Sequence, residues 1–109
     1  MLYRFKSRAA PDLIMLQPHG RRVLQIIGKP ADAAQGILLP EEMPAAIAAL
    51  EAAIAQEEDA RRAAEAEAAE RGEDHPEPPE GVTLRQRAAP FIDMLRRCQA
   101  ADREIVWGV

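Results

Sequence analysis

With 109 residues the chain has room for one domain and one hydrophobic core. Its 48% hydrophobic content includes 22 alanines and its aromatic content is 4%, so large core side chains are few. A net charge of −4 argues against a general nucleic-acid binder, no apolar run approaches the roughly 20 residues of a membrane helix, and a single cysteine, Cys98, excludes an internal disulfide.

The charge is uneven. Residues 55–81 hold ten acids against three bases, a net −7 that leaves +3 on the remainder. We expect a single domain over residues 1–109 whose mildly basic body carries an acidic helical extension and bridge at about 55–81. The opening MLYRFKSRAAPDL has no apolar stretch of the secretory type, so the expected location is the cytoplasm.

In chain order, LYRFKS alternates strictly, with Tyr3, Phe5 and Ser7 on one side and Leu2, Arg4, Lys6 and Arg8 on the other, the period of a half-buried strand. After AAPD comes LIML, a short apolar run read as a second strand, antiparallel to the first over a loop near residues 8–12. QPHG interrupts. Val23, Leu24 and Ile27 then fall at helical spacing, with Gly28 where a C-terminal capping glycine belongs, and predict a short helix over about 20–27. The rival reading makes PHGR a turn and RVLQII a strand.

GKPADAAQG is a loop, and ILL leads into PEEMPAAIAALEAAI, where Pro44 suits a first helical turn and Met43, Ile47, Leu50 and Ile54 line one face. Beyond Ile54 the pairs Glu57 to Arg61 and Glu58 to Arg62 support a helix running into water to about Arg71. GEDHPEPPEG reads as a hinge or disordered bridge. Thr83 and Gln86 form a capping box ahead of a stripe at Leu84, Ala88, Phe91, Ile92, Leu95 and Cys98; Pro90 inside it predicts either a kink or a separate turn before a helix starting near Ala89. Arg96, Arg97 and Arg103 gather toward the negative end of this helix.

In EIVWGV, Ile105, Trp107 and Val109 share one side. A third strand beside the two N-terminal ones would bury the tryptophan. The alternative is a tail that completes a partner's sheet. The fold class is therefore α+β: a small antiparallel sheet, two N-terminal strands plus the C-terminal one, packed on about three helices.

MLYRFKSRAAPDLIML, GILLPEEMPAAIAALEAAI, RQRAAPFIDMLRR and VWGV together resemble a family of short bacterial proteins catalogued as domain of unknown function 1840. The resemblance leaves aside residues 56–79 and implies a small bacterial cytoplasmic protein, with no activity, cofactor or catalytic residue to carry over.

No constellation for chemistry emerges. His19, His75 and Cys98 have no paired spacing for a metal. Ser7, Thr83 and Cys98 lack an evident base, and the carboxylates Glu57, Glu58 and Asp59 lie in a solvated run. We expect no catalytic, cofactor or metal site. The basic row Arg4, Lys6 and Arg8, which Arg21, Arg22, Arg85 and Arg87 could approach, is the candidate anion contact, either to nucleic acid or to an acidic protein surface; its plainer reading is a solvated strand face. Without the insert about 80 residues must supply the core, where a single core gives only ~3–5 kcal/mol. That shortfall favours a non-catalytic module binding another protein or itself, with Met43, Ile47, Leu50, Ile54, Ile105, Trp107 and Val109 as candidate contacts.

Overall fold

The computed structural model describes residues 2–31, 35–72 and 83–108. Strands β1 (Leu2–Ser7) and β2 (Ala10–Leu16) form a hairpin, followed by α1 (Gln17–Ile26), β3 (Gly36–Leu38), a 3-10 turn (Pro40–Glu42), α2 (Met43–Glu70), α3 (Leu84–Ala101) and β4 (Ile105–Trp107). The architecture is α+β, a four-stranded antiparallel sheet in the order β2-β1-β4-β3 with three helices. Helices α1 and α3 lie on the sheet, and α2 packs against both.

The sheet has one strand more than the sequence suggests. The ILL segment, read as a lead into the helix, supplies β3, with Ile37 opposite Val106 and Leu38 opposite Ile105. Three residues carry no periodicity of their own, and pairing with β4 makes them a strand. β4 in turn pairs with β1, Phe5 facing Trp107, so it is an inner strand. The hairpin turn is tighter than expected, since β2 already begins at Ala10.

Helix α1 starts at Gln17, directly after β2 and about three residues earlier than the sequence reading. Pro18 interrupts nothing, because a proline in the first turn forgoes only an N–H that has no helical partner. Gly20 is needed for space: a Cβ there would lie 2.5 Å from Tyr3 Cδ2 and 2.7 Å from Cγ. The helix closes as expected on Gly28 (φ 80°), whose N–H donates to the Gln25 carbonyl at 3.2 Å, while Lys29 N–H donates to that of Leu24 at 2.8 Å. Helix α3 ends in the same way on Asp102 (φ 56°), with Arg103 N–H donating to the Cys98 carbonyl at 2.9 Å, which turns the chain toward β4.

Helix α3 runs through Pro90 as a single element, so no separate turn precedes it. Six residues of its expected stripe (Leu84, Ala88, Phe91, Ile92, Leu95 and Cys98) are buried, and this packing on both sides of the proline holds the helix together. Thr83 caps it: its Oγ1 accepts from Gln86 N–H at 3.2 Å, and Gln86 Oε1 accepts from Thr83 N–H at 3.1 Å. Of the three arginines expected toward its negative end, Arg96 pairs with Glu51 at 2.8 Å and Arg97 with Asp93 at 3.1 Å, while Arg103 lies beyond the last helical residue, Ala101.

The core gathers Phe5 from β1, Leu38, Ile105 and Trp107 from β3 and β4, Met43 and Leu50 from α2, and Phe91 and Leu95 from α3. Phe5 is its centre, with ring centroids 4.8 Å from Phe91 and 5.8 Å from Trp107. Tyr3 O–H donates to the Ala31 carbonyl at 2.9 Å and ties the loop after α1 to the sheet. Helix α2 meets the start of α3 at Glu57, whose Oε2 accepts from Leu84 N–H at 2.9 Å, and at Glu58, which pairs with Arg85 at 2.6 Å. It then continues to Glu70, a further twelve residues or about 18 Å. The bridge expected at GEDHPEPPEG lies outside the described residues.

Candidate functional site

The candidate contact residues fall into two groups. Met43, Leu50, Ile54, Ile105 and Trp107 are buried and Ile47 is half-buried, and all six pack in or against the one internal core. Val109 lies outside the described residues. A tail strand between β1 and β3 has both neighbours supplied by its own chain.

The basic residues separate. Arg4 and Lys6 project from the sheet face opposite the helices, with Arg8 exposed in the turn after β1. Arg21 and Arg22 belong to α1, which packs on the other side against Tyr3, so the sheet stands between them and the basic row. Arg85 is held by Glu58, which it keeps below the usual carboxylate range by its hydrogen bond and charge. Lys6 and Arg8 share a shallow pocket with Glu104.

What lies around the basic row was not among the expected contacts. The outer sheet face carries Leu2 (61% exposed), Ile14 (50%), Leu16 (58%) and Ile37 (45%). Leu2 faces Leu16 across the hairpin and Arg4 faces Ile14; Lys6 faces Val106, which faces Ile37. One apolar patch thus occupies the hairpin side of the face and another the β3 side, with Arg4 and Lys6 between them. Leu2 on the wet side of an otherwise charged alternation was the one signal of this face in the sequence. Ile14 and Leu16 were concealed because LIML is apolar on both sides of β2.

Beside that face, a groove of about 300 Å³ lies along β2 and the first half of α3, lined by residues 13–16, His19, Gln86, Arg87 and Pro90. His19 is held below its ordinary pKa, first by desolvation and then by the positive charges of Arg87 and Arg22. A larger cleft of about 550 Å³ between α2 and α3 includes Glu51, Ile54, Arg85 and Arg96, whose charged groups form the ion pairs already described.

The candidate nucleophiles have structural partners. Ser7 Oγ accepts from Ala9 N–H at 3.3 Å, Thr83 caps α3, and Cys98 is sealed in the core. His75 lies outside the described residues. Among the described residues, no three His, Cys, Asp or Glu side chains gather closely enough to hold a metal ion, and no helix is long and apolar enough to cross a membrane.

A family model described as Domain of unknown function (DUF1840) matches residues 1–107. The chain belongs to the DUF1840 family. The match runs through the acidic stretch as well as the two ends, so in this DUF1840 chain the sheet, the long helix and the segment between α2 and α3 fall within one family unit. No curated protein and no solved structure matches it.

Proposed function

We propose that this DUF1840 chain is a non-catalytic binding module that engages another protein through the uncovered face of its sheet. One observation carries the reading: four large aliphatic side chains, Leu2, Ile14, Leu16 and Ile37, are 45–61% exposed on one sheet face, and among the described residues only Leu39, at 38%, is a further exposed large aliphatic. Burying a Leu or Ile side chain contributes about 1.5–3 kcal/mol, so covering these four offers several kcal/mol to a complex. Arg4 and Lys6 between the patches favour a partner surface with carboxylates at its middle and apolar side chains on either side of them.

The test is comparative affinity purification from the source cell with three tagged versions: the native chain, the Ile14→Thr/Ile37→Thr variant, and an Ala100→Thr control on the exposed side of α3. Threonine keeps strand propensity while removing apolar area. A protein retained by the native chain and the control but lost with the face variant supports the reading. Identical retention by all three overturns it.

A further inference from the structure

The uncovered sheet face carries both signs of charge, and their placement selects its partner. Glu104 stands two residues before Val106 and so projects to the same side; it borders a shallow pocket with Lys6, Arg8 and Val106. Lys6 faces Val106 across β1 and β4, and continuing that register puts Arg8 opposite Glu104. Among the described residues, however, the side chains of Arg4, Lys6, Arg8 and Glu104 make no hydrogen bond or ion pair. The face thus offers uncommitted cations along β1 and an uncommitted carboxylate at the start of β4, the two inner strands.

A second copy of this face has the features its partner needs: a carboxylate on an inner strand, the hairpin patch on one side of it and Ile37 on the other. Sheets stack with their strands aligned within about 30°, and closed dimers have a two-fold axis. An axis across the strands would lay β1 on β1 of the second copy and set Arg4 and Lys6 against their own equivalents. An axis along the strands, between β1 and β4, lays β1 on β4 and β2 on β3. Lys6 and Arg8 then meet Val106 and Glu104 of the second copy, twice over, and the side bearing Ile14 and Leu16 covers the side bearing Ile37. Charge chooses the second arrangement. Four strands about 4.8 Å apart, the longer inner one spanning about 20 Å, make a face of roughly 19 by 20 Å, a small interface suited to a micromolar dimer.

We infer that two copies of this chain pack sheet face to sheet face about an axis along the strands, Lys6 and Arg8 of each pairing with Glu104 of the other. This rests on the binding-module reading and names its partner.

The experiment is sedimentation velocity on the full chain from about 1 μM to about 1 mM, following the change from 12.0 kDa to twice that mass. The native chain should dimerise with a dissociation constant on the order of 10–100 μM. Lys6→Glu/Arg8→Glu and Glu104→Lys should each weaken the dimer at least about tenfold, because like charges then meet at both contacts. Ile14→Thr/Ile37→Thr should weaken it as much. An equimolar mixture of the two charge variants should dimerise again, since each supplies the charge the other has lost, a recovery that altered folding of either variant cannot produce. A native chain monomeric at about 1 mM, a dimer indifferent to the charge variants, or a mixture no more dimeric than its components would overturn the pairing of copies. If the native chain is monomeric while Ile14→Thr/Ile37→Thr still abolishes capture of a different protein, the binding-module reading stands and only the second copy falls.

Discussion

Gly36 and Trp107 face each other across β3 and β4, and the space between them can be probed quantitatively. A Cβ built on Gly36 would fall inside the indole at Cζ2 and Cε2 and lie 2.7 Å from Nε1. The indole is 1% exposed and backed by Phe5, so it has little room to withdraw. Gly36 lies in an extended strand and is not one of the described glycines at positive φ (Gly28, Gly72 and Gly108), so alanine meets a steric obstacle and no backbone strain. Overpacking of this kind costs about 1–3 kcal/mol, and a clash with a rigid ring puts Gly36→Ala near 3. Trp107→Phe removes the three indole atoms that the new methyl would strike. It leaves a cavity costing about 1–2 kcal/mol, partly offset because Trp107 Nε1 is a buried donor without a partner among the described residues. In the Trp107→Phe background, Gly36→Ala should cost less than about 1 kcal/mol, a coupling of roughly 2 kcal/mol in the double-mutant cycle. Urea unfolding followed by far-ultraviolet circular dichroism measures all four proteins, since Trp107 is the only tryptophan. A cost for Gly36→Ala below about 0.5 kcal/mol, or the same cost in both backgrounds, would refute this packing.

Thr83→Ala should destabilise the chain by about 1 kcal/mol and speed hydrogen exchange at the Gln86 amide, which loses its cap. Glu42 is held below its ordinary pKa of 4.5, first by the hydrogen bond from Lys29 at 2.6 Å and then by that from the Leu39 backbone. Its folded pKa being depressed, its contribution is present above pH 4.5 and is lost as pH falls through the lower folded value; urea midpoints of native and Glu42→Gln chains should converge across that interval. Cys98, fully buried, should react with a thiol reagent at the rate of unfolding, and addition of urea should accelerate the reaction; fast labelling in buffer would contradict its burial.

The elements legible in the sequence are those whose residues carry their own signal. LYRFKS shows a clean period of two, Met43, Leu50 and Ile54 mark the buried side of α2, and Thr83 with Gln86 announces α3 before its stripe begins. β3 was illegible because three residues become a strand only through pairing with β4. The start of α1 was obscured by Pro18 and Gly20, which look like helix breakers; the first occupies a turn that tolerates it and the second makes room for Tyr3. The outer face was harder still. Whether Ile14 and Leu16 are core or surface depends on which side of the sheet the helices cover, a tertiary choice that a run apolar on both sides does not reveal. Arg22 neighbours His19 within α1, whereas Arg87, 68 positions after His19, comes near it only because α1 and α3 share the inner side of the sheet.

The most direct test of the sheet face as the working surface is photo-crosslinking in the source cell, with a photoreactive side chain at position 14, at position 37, or at position 100 on the exposed side of α3. Covalent adducts to a partner protein from positions 14 and 37, absent from position 100, are the expected result. Adducts of equal yield from all three positions, or from position 100 alone, would contradict it.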